Sequence, residues 1–356
     1  MTLEAERTIP APAPRRDLLE VVNVSKQFPV RLGPMKKGYV SAVDSLSLNV
    51  ARGSTMGIVG ESGCGKSTAA RLIVGLLKID SGDIIFDGTN LHAPRSMRQP
   101  GPDQKALRRN MQMVFQDPHS SLNPRASVGE IISFPMKVHG FAKEEMRERT
   151  SWLLEQVGLH ANHASYYPHQ MSGGQRQRVN IARALALSPQ LVVCDEAVSA
   201  LDKSVQAQVL NLLKGLQEEL GLTYIFISHD LNVVQFMSDN VCVMYLGQAV
   251  ETCGADRLYE NPLHPYTRAL LASTPVLGEK NVSDVPPLEG ELPSPLNPPS
   301  GCRFRTRCPF AMDVCAEEAP KLTQPEPGHY VACHLFTDES PAVAPKYAAP
   351  AVLPIV

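Results

Sequence analysis

Eight residues early in the chain have the types and spacing of a phosphate-binding loop. Residues 60–67 read Gly-Glu-Ser-Gly-Cys-Gly-Lys-Ser and fit that motif at every fixed position. The glycines let successive backbone N–H groups converge on phosphate oxygens, Lys66 supplies positive charge, and the Ser67 hydroxyl can ligate Mg²⁺. We therefore expect a nucleotide to bind the residues from Gly60 to Thr68, with Cys64 as a small packing residue: Gly60, Glu61, Ser62, Gly63, Cys64, Gly65, Lys66, Ser67 and Thr68.

Two carboxylates follow an apolar run at Leu191–Cys194. Paired acids at the carboxyl end of a strand lie where ligands bind in open parallel sheets. We expect Asp195 to hold Mg²⁺, through water, together with Ser67. Glu196 is predicted to position and deprotonate the water that attacks the γ-phosphate.

Gln116 and His229 also follow candidate strands, at Met111–Phe115 and Tyr224–Ser228. A glutamine amide at such a strand end can ligate Mg²⁺ and water together. His229 can donate a hydrogen bond to the γ-phosphate. Glu196, Gln116 and His229 are therefore the predicted catalytic residues.

A serine and two glycines precede an apolar-periodic run about a hundred residues beyond the loop. We expect Ser172 to cap a helix there. The backbone N–H groups and the positive end of the helix dipole then face an anion. The predicted anion-binding segment is Ser172, Gly173, Gly174 and Gln175.

Four cysteines crowd into the last sixth of the chain: Cys302, Cys308, Cys315 and Cys333. In a reducing compartment such a cluster predicts a metal site more often than disulfides. Structural zinc prefers closer cysteine pairs, whereas these gaps suit a bulkier cluster, so spacing alone leaves zinc and an iron–sulfur cluster equally open. His329 and His334 are alternative ligands.

Three arginines lie between the first two cysteines: Arg303, Arg305 and Arg307. They either offset the negative charge of a cluster or form a solvated basic strand face.

The elements that must position these residues alternate between strands and helices. Half-buried strands are predicted at Leu18–Val24 and Ser45–Val50, and apolar strands at residues 55–59, 84–86, 111–115, 191–194 and 224–227. Helices are predicted from the loop to about Leu77, within about residues 118–187, and at residues 143–157 and 205–220. This alternation predicts an α/β fold with a mostly parallel sheet.

The composition agrees with a large globular domain followed by a smaller one. The chain has 356 residues, of which 43% are hydrophobic, and a net charge of −2. The near-neutral charge gives no basic footprint for nucleic acid. We expect no membrane span and no secretory signal. Flexible tails are predicted at residues 1–17 and 338–356.

The order and spacing of these motifs resemble the nucleotide-binding subunits of ABC transporters, over residues 18–275. The resemblance implies two subunits stacked head to tail with two ATP molecules between them. Ser172 and Gly174 of one subunit then contact the γ-phosphate held by the other. Asp202, in Ser199-Ala200-Leu201-Asp202, lines the shared interface.

The resemblance also implies an antiparallel β subdomain, a helical signature subdomain at about 118–187, and an aromatic residue stacked on adenine. Phe28 is the candidate for that residue, with Tyr39 as the alternative. Ala197 departs from the family, which usually has proline after the catalytic glutamate, and we expect only a local backbone effect.

A narrower resemblance covers Asn261–Thr267 and Gly290–Pro299, which look like the C-terminal region of dipeptide and oligopeptide importer ATPases. The dipeptide-permease subunits are the most similar. The resemblance implies a cysteine module at 276–337 holding a [4Fe-4S] cluster, with zinc as the alternative. It also implies a second, non-identical ATPase, two transmembrane permeases and an extracytoplasmic peptide-binding protein. The chain would work at the cytoplasmic face of the membrane.

Two other functions remain open at the level of sequence. Nickel complexes or glutathione could replace peptides as the transported solute, because other subunits set specificity. A soluble ABC-type ATPase acting on DNA or the ribosome is the less favoured alternative. Members that act on DNA usually carry coiled-coil or zinc insertions, and ribosomal members usually carry two cassettes.

Overall fold

The computed structural model describes residues 17–33, 37–92, 104–117, 121–273 and 291–337. The predicted tails therefore lie outside the described residues, apart from position 17. Two sheets organise the described part of the chain. The first is antiparallel, in the order β2-β1-β4-β5. Its strands are β1 (Asp17–Arg31), β2 (Lys37–Ala51), β4 (Ser81–Phe86) and β5 (Thr89–Asn90).

The second sheet presents the ends of its parallel strands to the candidate site. These strands lie side by side in the order β9-β3-β8-β7-β6. They are β3 (Thr55–Val59), β6 (Met111–Val114), β7 (Leu191–Asp195), β8 (Thr223–Ile227) and β9 (Asn240–Tyr245). Because parallel strands end at one edge of a sheet, the residues that follow β3, β6, β7 and β8 are brought together.

The parallel strands are buried on both faces, which explains their uninterrupted apolar runs. On one face, Val193 and Ile225 belong to a core shared with the antiparallel sheet and α1 (Lys66–Ile73). On the other face, Val192 and Phe226 pack with helices. The molecule is therefore layered, with the parallel strands in the middle.

The helices begin and end at residues suited to those positions. Ser127 and Asp202 each accept a backbone N–H at a helix N-terminus, and Gly221 ends a helix with a φ of 64°. The helices between β5 and β9 are α2 (Gln104–Asn110), α3 (Val128–Val138), α4 (Lys143–Gln156), α5 (Gly173–Leu185), α6 (Lys203–Leu220) and α7 (Leu231–Met237).

The C-terminal residues extend the same sheet on its other side. β10 (Gln248–Gly254) pairs with β9, β12 (His329–Val331) with β10, and β11 (Thr323–Glu326) with β12, all antiparallel. The remaining helices are α8 (Ala255–Glu260), α9 (Pro265–Ala272) and α10 (Val314–Glu317). The cysteine-bearing segment is thus joined to the sheet by backbone hydrogen bonds.

Several sequence predictions need correction. β1 and β2 are longer than predicted, because the hairpin continues through register shifts to the pair Arg31 and Lys37. α1 ends at Ile73 rather than near Leu77, since Gly75 takes a φ of 71° that breaks the helix. The stretch 121–187 is helical only in parts, with short 3₁₀ turns between α4 and α5. The other predicted strands are confirmed to within two or three residues at either end.

Candidate active site

The phosphate loop connects β3 to α1, as predicted. Gly60 and Gly65 have positive φ angles of 151° and 110°. A Cβ atom on Gly60 would lie 2.2 Å from the carbonyl oxygen of Met244, and one on Gly65 would lie 2.1 Å from that of Ala42. Neighbouring backbone therefore requires glycine at both positions, and this close packing fixes the path of the loop.

Lys66 is the buried cation of this loop. Its side chain is 4% exposed, and Nζ donates hydrogen bonds to the carbonyl oxygens of Gly60 at 2.7 Å and Glu61 at 3.0 Å. Cys64 is buried beside it, and burial raises the pKa of its thiol. Positive charge therefore lies inside the loop, and Cys64 is the packing residue that the sequence predicted.

Ser67 and Asp195 form the predicted oxygen pair for Mg²⁺. Ser67 Oγ donates a hydrogen bond to Asp195 Oδ1 at 2.8 Å. Burial raises the pKa of Asp195, while the Ser67 hydrogen bond and the charges of Arg71 and Lys66 lower it. A hydroxyl and a carboxylate oxygen in contact suit a hard cation with oxygen ligands, so these residues fit Mg²⁺.

The three predicted catalytic side chains meet at one oxygen atom. Gln116 Nε2 donates to Glu196 Oε2 at 2.8 Å, and His229 Nδ1 lies 3.5 Å from the same oxygen. The Glu196 side chain is 15% exposed, whereas that of His229 is 58% exposed. Glu196 has a φ of 47°, a strained backbone conformation for a residue other than glycine. A carboxylate held in this way can orient and deprotonate a water molecule.

The Ser172 segment begins α5 as predicted. The Ser172 side chain accepts the N–H of Gln175, and the Gln175 side chain accepts the N–H of Ser172. A Cβ on Gly174 would lie 2.4 Å from Val205 Cγ1, while one on Gly173 would lie 3.9 Å from the nearest atom. The start of α5 therefore packs against the first turn of α6.

Asp202 caps α6 beside this segment. Its side chain accepts hydrogen bonds from the N–H of Val205 at 3.0 Å and the Ser204 hydroxyl at 2.8 Å. These hydrogen bonds lower the pKa of Asp202. Ser172 and Asp202 are both exposed, so the two helix starts together face solvent.

Phe28 and Tyr39 lie on neighbouring strands of the first hairpin. Phe28 pairs with Val40, and Tyr39 pairs with Pro29. Two residues further along β2 from Val40, the Ala42 carbonyl packs on the phosphate loop. Phe28 is half-buried, whereas Tyr39 is 57% exposed. Both aromatic rings therefore stay candidates for contact with a base.

Two contacts to the phosphate loop are not predicted by the sequence. The backbone N–H of Glu61 donates to the Tyr266 hydroxyl at 2.8 Å, and the Glu61 carboxylate accepts two hydrogen bonds from Arg307. Tyr266 belonged to a segment singled out only for family resemblance. Sequence offers no signal for contacts between residues this far apart in the chain.

The three arginines do not form a basic strand face. Residues Arg305–Arg307 form a 3₁₀ turn, and Arg303 pairs with Asp44 and with a backbone carbonyl. Arg305 donates to Ser300 and lines the cysteine cavity. Only Arg305 therefore lies where the predicted cluster charge would be offset.

The four cysteines line one small cavity: Cys302, Cys308, Cys315 and Cys333. Burial, and secondarily the neighbouring thiols, raise the pKa of Cys308 to about 11 and that of Cys333 to about 12. His334 also lines the cavity. Four converging thiols suit a metal group, because a bound cation would stabilise the thiolates that burial disfavours.

His329 does not join the cysteines. Its Nε2 lies 2.7 Å from Glu251 Oε1, deep in the sheet. Within the described residues, the side chains of Glu251, Cys253 and His329 form the one trio with ligand atoms within 4.8 Å of one another. The Glu251 carboxylate already accepts the N–H groups of Leu263 and His264, so these donors satisfy its charge without a metal ion.

Two family models match the chain. The ABC transporter model matches residues 43–199, and the model of the oligopeptide/dipeptide transporter C-terminal region matches residues 250–315. Together they span the phosphate loop, Gln116, Glu196 and the first three cysteines of the cavity.

Curated relatives match over most of their length. The oligopeptide transport ATP-binding protein AppF of Bacillus subtilis is 51% identical over 330 residues, which cover 91% of this chain and 99% of the relative. The oligopeptide transport ATP-binding protein OppF of Escherichia coli is 50% identical, with coverages of 86% and 93%. The dipeptide transport ATP-binding protein DppF of the same organism is 46% identical, with coverages of 92% and 97%.

Solved structures share the fold. The ATP-binding cassette MJ0796, in a dimeric structure bound to ADP and Pi, has a TM-score of 0.57 and 29% identity, and covers 67% of this chain and 98% of its own. CbiO1 from Clostridium perfringens has a TM-score of 0.58 and 29% identity, with coverages of 68% and 90%. In the described part of this chain, no helix has the length and apolar character needed to span a bilayer.

Proposed function

Since the chain belongs to the ATP-binding subunits of oligopeptide and dipeptide ABC transporters, we propose that it hydrolyses ATP to drive peptide uptake. This proposal rests mainly on one observation. The side chains of Gln116, Glu196 and His229 lie together beside the phosphate loop. Three side chains from the ends of β6, β7 and β8 converge where the γ-phosphate of a loop-bound nucleotide would lie.

Each residue has a step to perform. The loop N–H groups and Lys66 bind the triphosphate. Ser67 and Asp195 would hold Mg²⁺, which would supply positive charge against the phosphates. Glu196 accepts a proton from the attacking water, which Gln116 helps to orient. His229 donates a hydrogen bond to the γ-phosphate.

The site is completed by a second subunit. The capped start of α5 exposes N–H groups that suit a phosphate anion. Ser172 and Gly174 therefore contact the γ-phosphate bound to a partner ATPase, with Asp202 at the shared interface. Phe28, or Tyr39 in its place, stacks on adenine. The dimeric cassette structure similar to this chain supports such an arrangement.

The substitution Glu196→Gln tests the catalytic assignment. The variant should bind ATP and accumulate as a closed dimer with its partner ATPase, because the amide keeps the shape of the carboxylate but cannot accept the proton. Steady-state ATPase measurements and size-exclusion chromatography with ATP separate these effects. Turnover equal to that of the wild-type would show that Glu196 is not the base.

Peptide transport requires further subunits. We infer a partner ATPase that differs in sequence, two permeases in the membrane and an extracytoplasmic peptide-binding protein. The chain then acts at the cytoplasmic face, held by the permeases. Purification from native membranes should recover these subunits, and recovery of the ATPase without any membrane protein would contradict the transport assignment.

A [4Fe-4S] cluster is the cofactor that we infer for Cys302, Cys308, Cys315 and Cys333. Four thiols converge on one cavity, yet in the described residues no three of their sulfur atoms lie within 4.8 Å of one another. A single tetrahedral zinc would draw the sulfurs to about 3.8 Å, which follows from a Zn–S bond of about 2.3 Å. The wider arrangement suits a larger inorganic core.

Anaerobic purification tests this cofactor. The protein should be brown and contain about four irons per chain, the iron content of a [4Fe-4S] cluster. Cys308→Ser should lower the iron content. A colourless protein with one zinc per chain would show that the four cysteines hold zinc and not an iron–sulfur cluster.

A further inference from the structure

The phosphate loop carries an acid next to its first glycine. Loops of this kind bind phosphate with N–H dipoles and a lysine, so a carboxylate among them opposes the function. Glu61 is that acid, and its own carbonyl oxygen accepts a hydrogen bond from Lys66 at 3.0 Å. An unpaired Glu61 side chain would repel a triphosphate and compete with it for the lysine.

Arg307 neutralises this acid from the cysteine-bearing segment. Its two terminal nitrogens donate to the two Glu61 carboxylate oxygens, at 2.7 Å and 3.1 Å. The Arg307 side chain is 5% exposed and that of Glu61 is 27% exposed, so the pair is screened little by solvent. A two-point contact of this kind fixes the orientation of the carboxylate as well as its charge.

The turn that carries Arg307 is itself anchored to the nucleotide-binding core. Phe304 is 2% exposed and packs against the rings of Tyr245 and Tyr266, which also contact each other. The Tyr266 hydroxyl accepts the backbone N–H of Glu61. The loop is therefore held at its side chain and its backbone by residues from the C-terminal part of the chain.

We propose that Arg307 is a positioning residue of the phosphate loop, through which the cysteine-bearing segment controls ATP affinity. The guanidinium holds the Glu61 carboxylate to one side, and this leaves Lys66 and the loop N–H groups available for the triphosphate. The proposal rests on the proposed ATP-binding function. Arg307 directly precedes Cys308, which lines the cysteine cavity, so the loop contact and the cysteine site adjoin in the chain.

Equilibrium binding of ATP to the full chain tests the proposal. Arg307→Ala should raise the Kd for ATP about tenfold, because it leaves one unit of negative charge beside the phosphates. At saturating ATP, kcat should stay within about twofold of wild-type, since Arg307 does not touch the reacting atoms. The Kd of Arg307→Lys should lie between those of wild-type and Arg307→Ala, because lysine keeps the charge but not the two-point contact.

The double variant Glu61→Gln, Arg307→Ala separates charge from structure. Removal of the carboxylate should restore the Kd to within about twofold of wild-type, as expected when the loss is electrostatic. Arg147→Ala is the control, because Arg147 also donates two hydrogen bonds to a glutamate, Glu144, but on the exposed surface of α4. It should leave the Kd unchanged.

Two results would overturn the proposal. One is wild-type affinity in Arg307→Ala, and the other is an Arg307→Ala defect that Glu61→Gln does not restore. Thermal unfolding of each variant identifies any loss that comes from misfolding. Failure of the wild-type chain to bind ATP would instead reject the proposed function.

Discussion

At the scale of single residues, the side chains around Glu196 are held to different degrees. Gln116 donates a hydrogen bond to the carboxylate, whereas His229 stands 3.5 Å away and is mostly exposed. An exposed side chain contributes little to folding, so its removal should leave the fold intact.

His229→Ala is therefore expected to reduce kcat without altering the fold. Loss of a hydrogen bond to the γ-phosphate should lower kcat about 10²-fold, in the range found for removal of one such donor. The Kd for ATP and the thermal unfolding midpoint should stay at their wild-type values. Single-turnover ATP hydrolysis is the measurement, and an unchanged rate would show that His229 takes no part in catalysis.

The residues of this site could be predicted because each follows a strand or opens a helix. Gln116, Asp195, Glu196 and His229 were identified from the apolar runs that precede them. The Glu61–Arg307 pair could not be predicted, since 246 positions separate the two residues and no local pattern records such a contact. The three arginines near the cysteines alternate in sequence, but Arg303 precedes a 3₁₀ turn that contains the other two. Their side chains bind three different partners: Asp44, Ser300 and Glu61.

At the scale of elements, the starts of α5 and α6 form one unit. Gly174 packs on Val205, and Asp202 caps the helix that carries Val205. The anion-binding start of α5 therefore depends on a contact that has no room for a side chain.

Gly174→Ala should destabilise this unit by about 1–3 kcal/mol, the usual effect of overpacking. Chemical denaturation measures the loss. The second substitution Val205→Ala should recover part of it, because the new Cβ would otherwise lie 2.4 Å from Val205 Cγ1. Gly173→Ala is the control, since its Cβ would meet nothing closer than 3.9 Å. Equal stabilities of the two alanine variants would refute the packing argument.

Elements with continuous apolar runs or clear caps could be predicted, and those set by distant partners could not. β3, β7, β8 and α6 have their expected positions. β9 and β10 were not predicted as strands, although β9 is apolar along most of its length. β12 is only three residues long and exists through its pairing with β10, which the sequence of residues 329–331 alone does not indicate.

At the scale of the whole molecule, one buried carboxylate joins three distant segments. Glu251 in β10 accepts hydrogen bonds from His329 in β12 and from the backbone at Leu263 and His264. Glu251 and His329 are fully buried. This acid therefore fixes the C-terminal strands and the start of α9 to the sheet.

Glu251→Ala should lower the free energy of unfolding by about 3–5 kcal/mol, since it leaves buried donors without an acceptor. Glu251→Gln should lower the free energy of unfolding by less, because its amide oxygen still accepts hydrogen bonds. The control is Glu326→Ala, whose carboxylate pairs with Arg257 near the surface. That change should cost no more than about 1 kcal/mol. The urea midpoints of the variants measure these differences, and equal midpoints for Glu251→Ala and Glu326→Ala would contradict the prediction.

The order of synthesis gives the Glu61–Arg307 contact a further consequence. A ribosome that adds roughly 5–20 residues per second takes about 12–50 s to travel from Glu61 to Arg307. Throughout that interval the acid of the phosphate loop has no guanidinium partner. If Arg307 positions the loop as proposed, the nascent chain acquires full affinity for ATP only after residue 307 has been made.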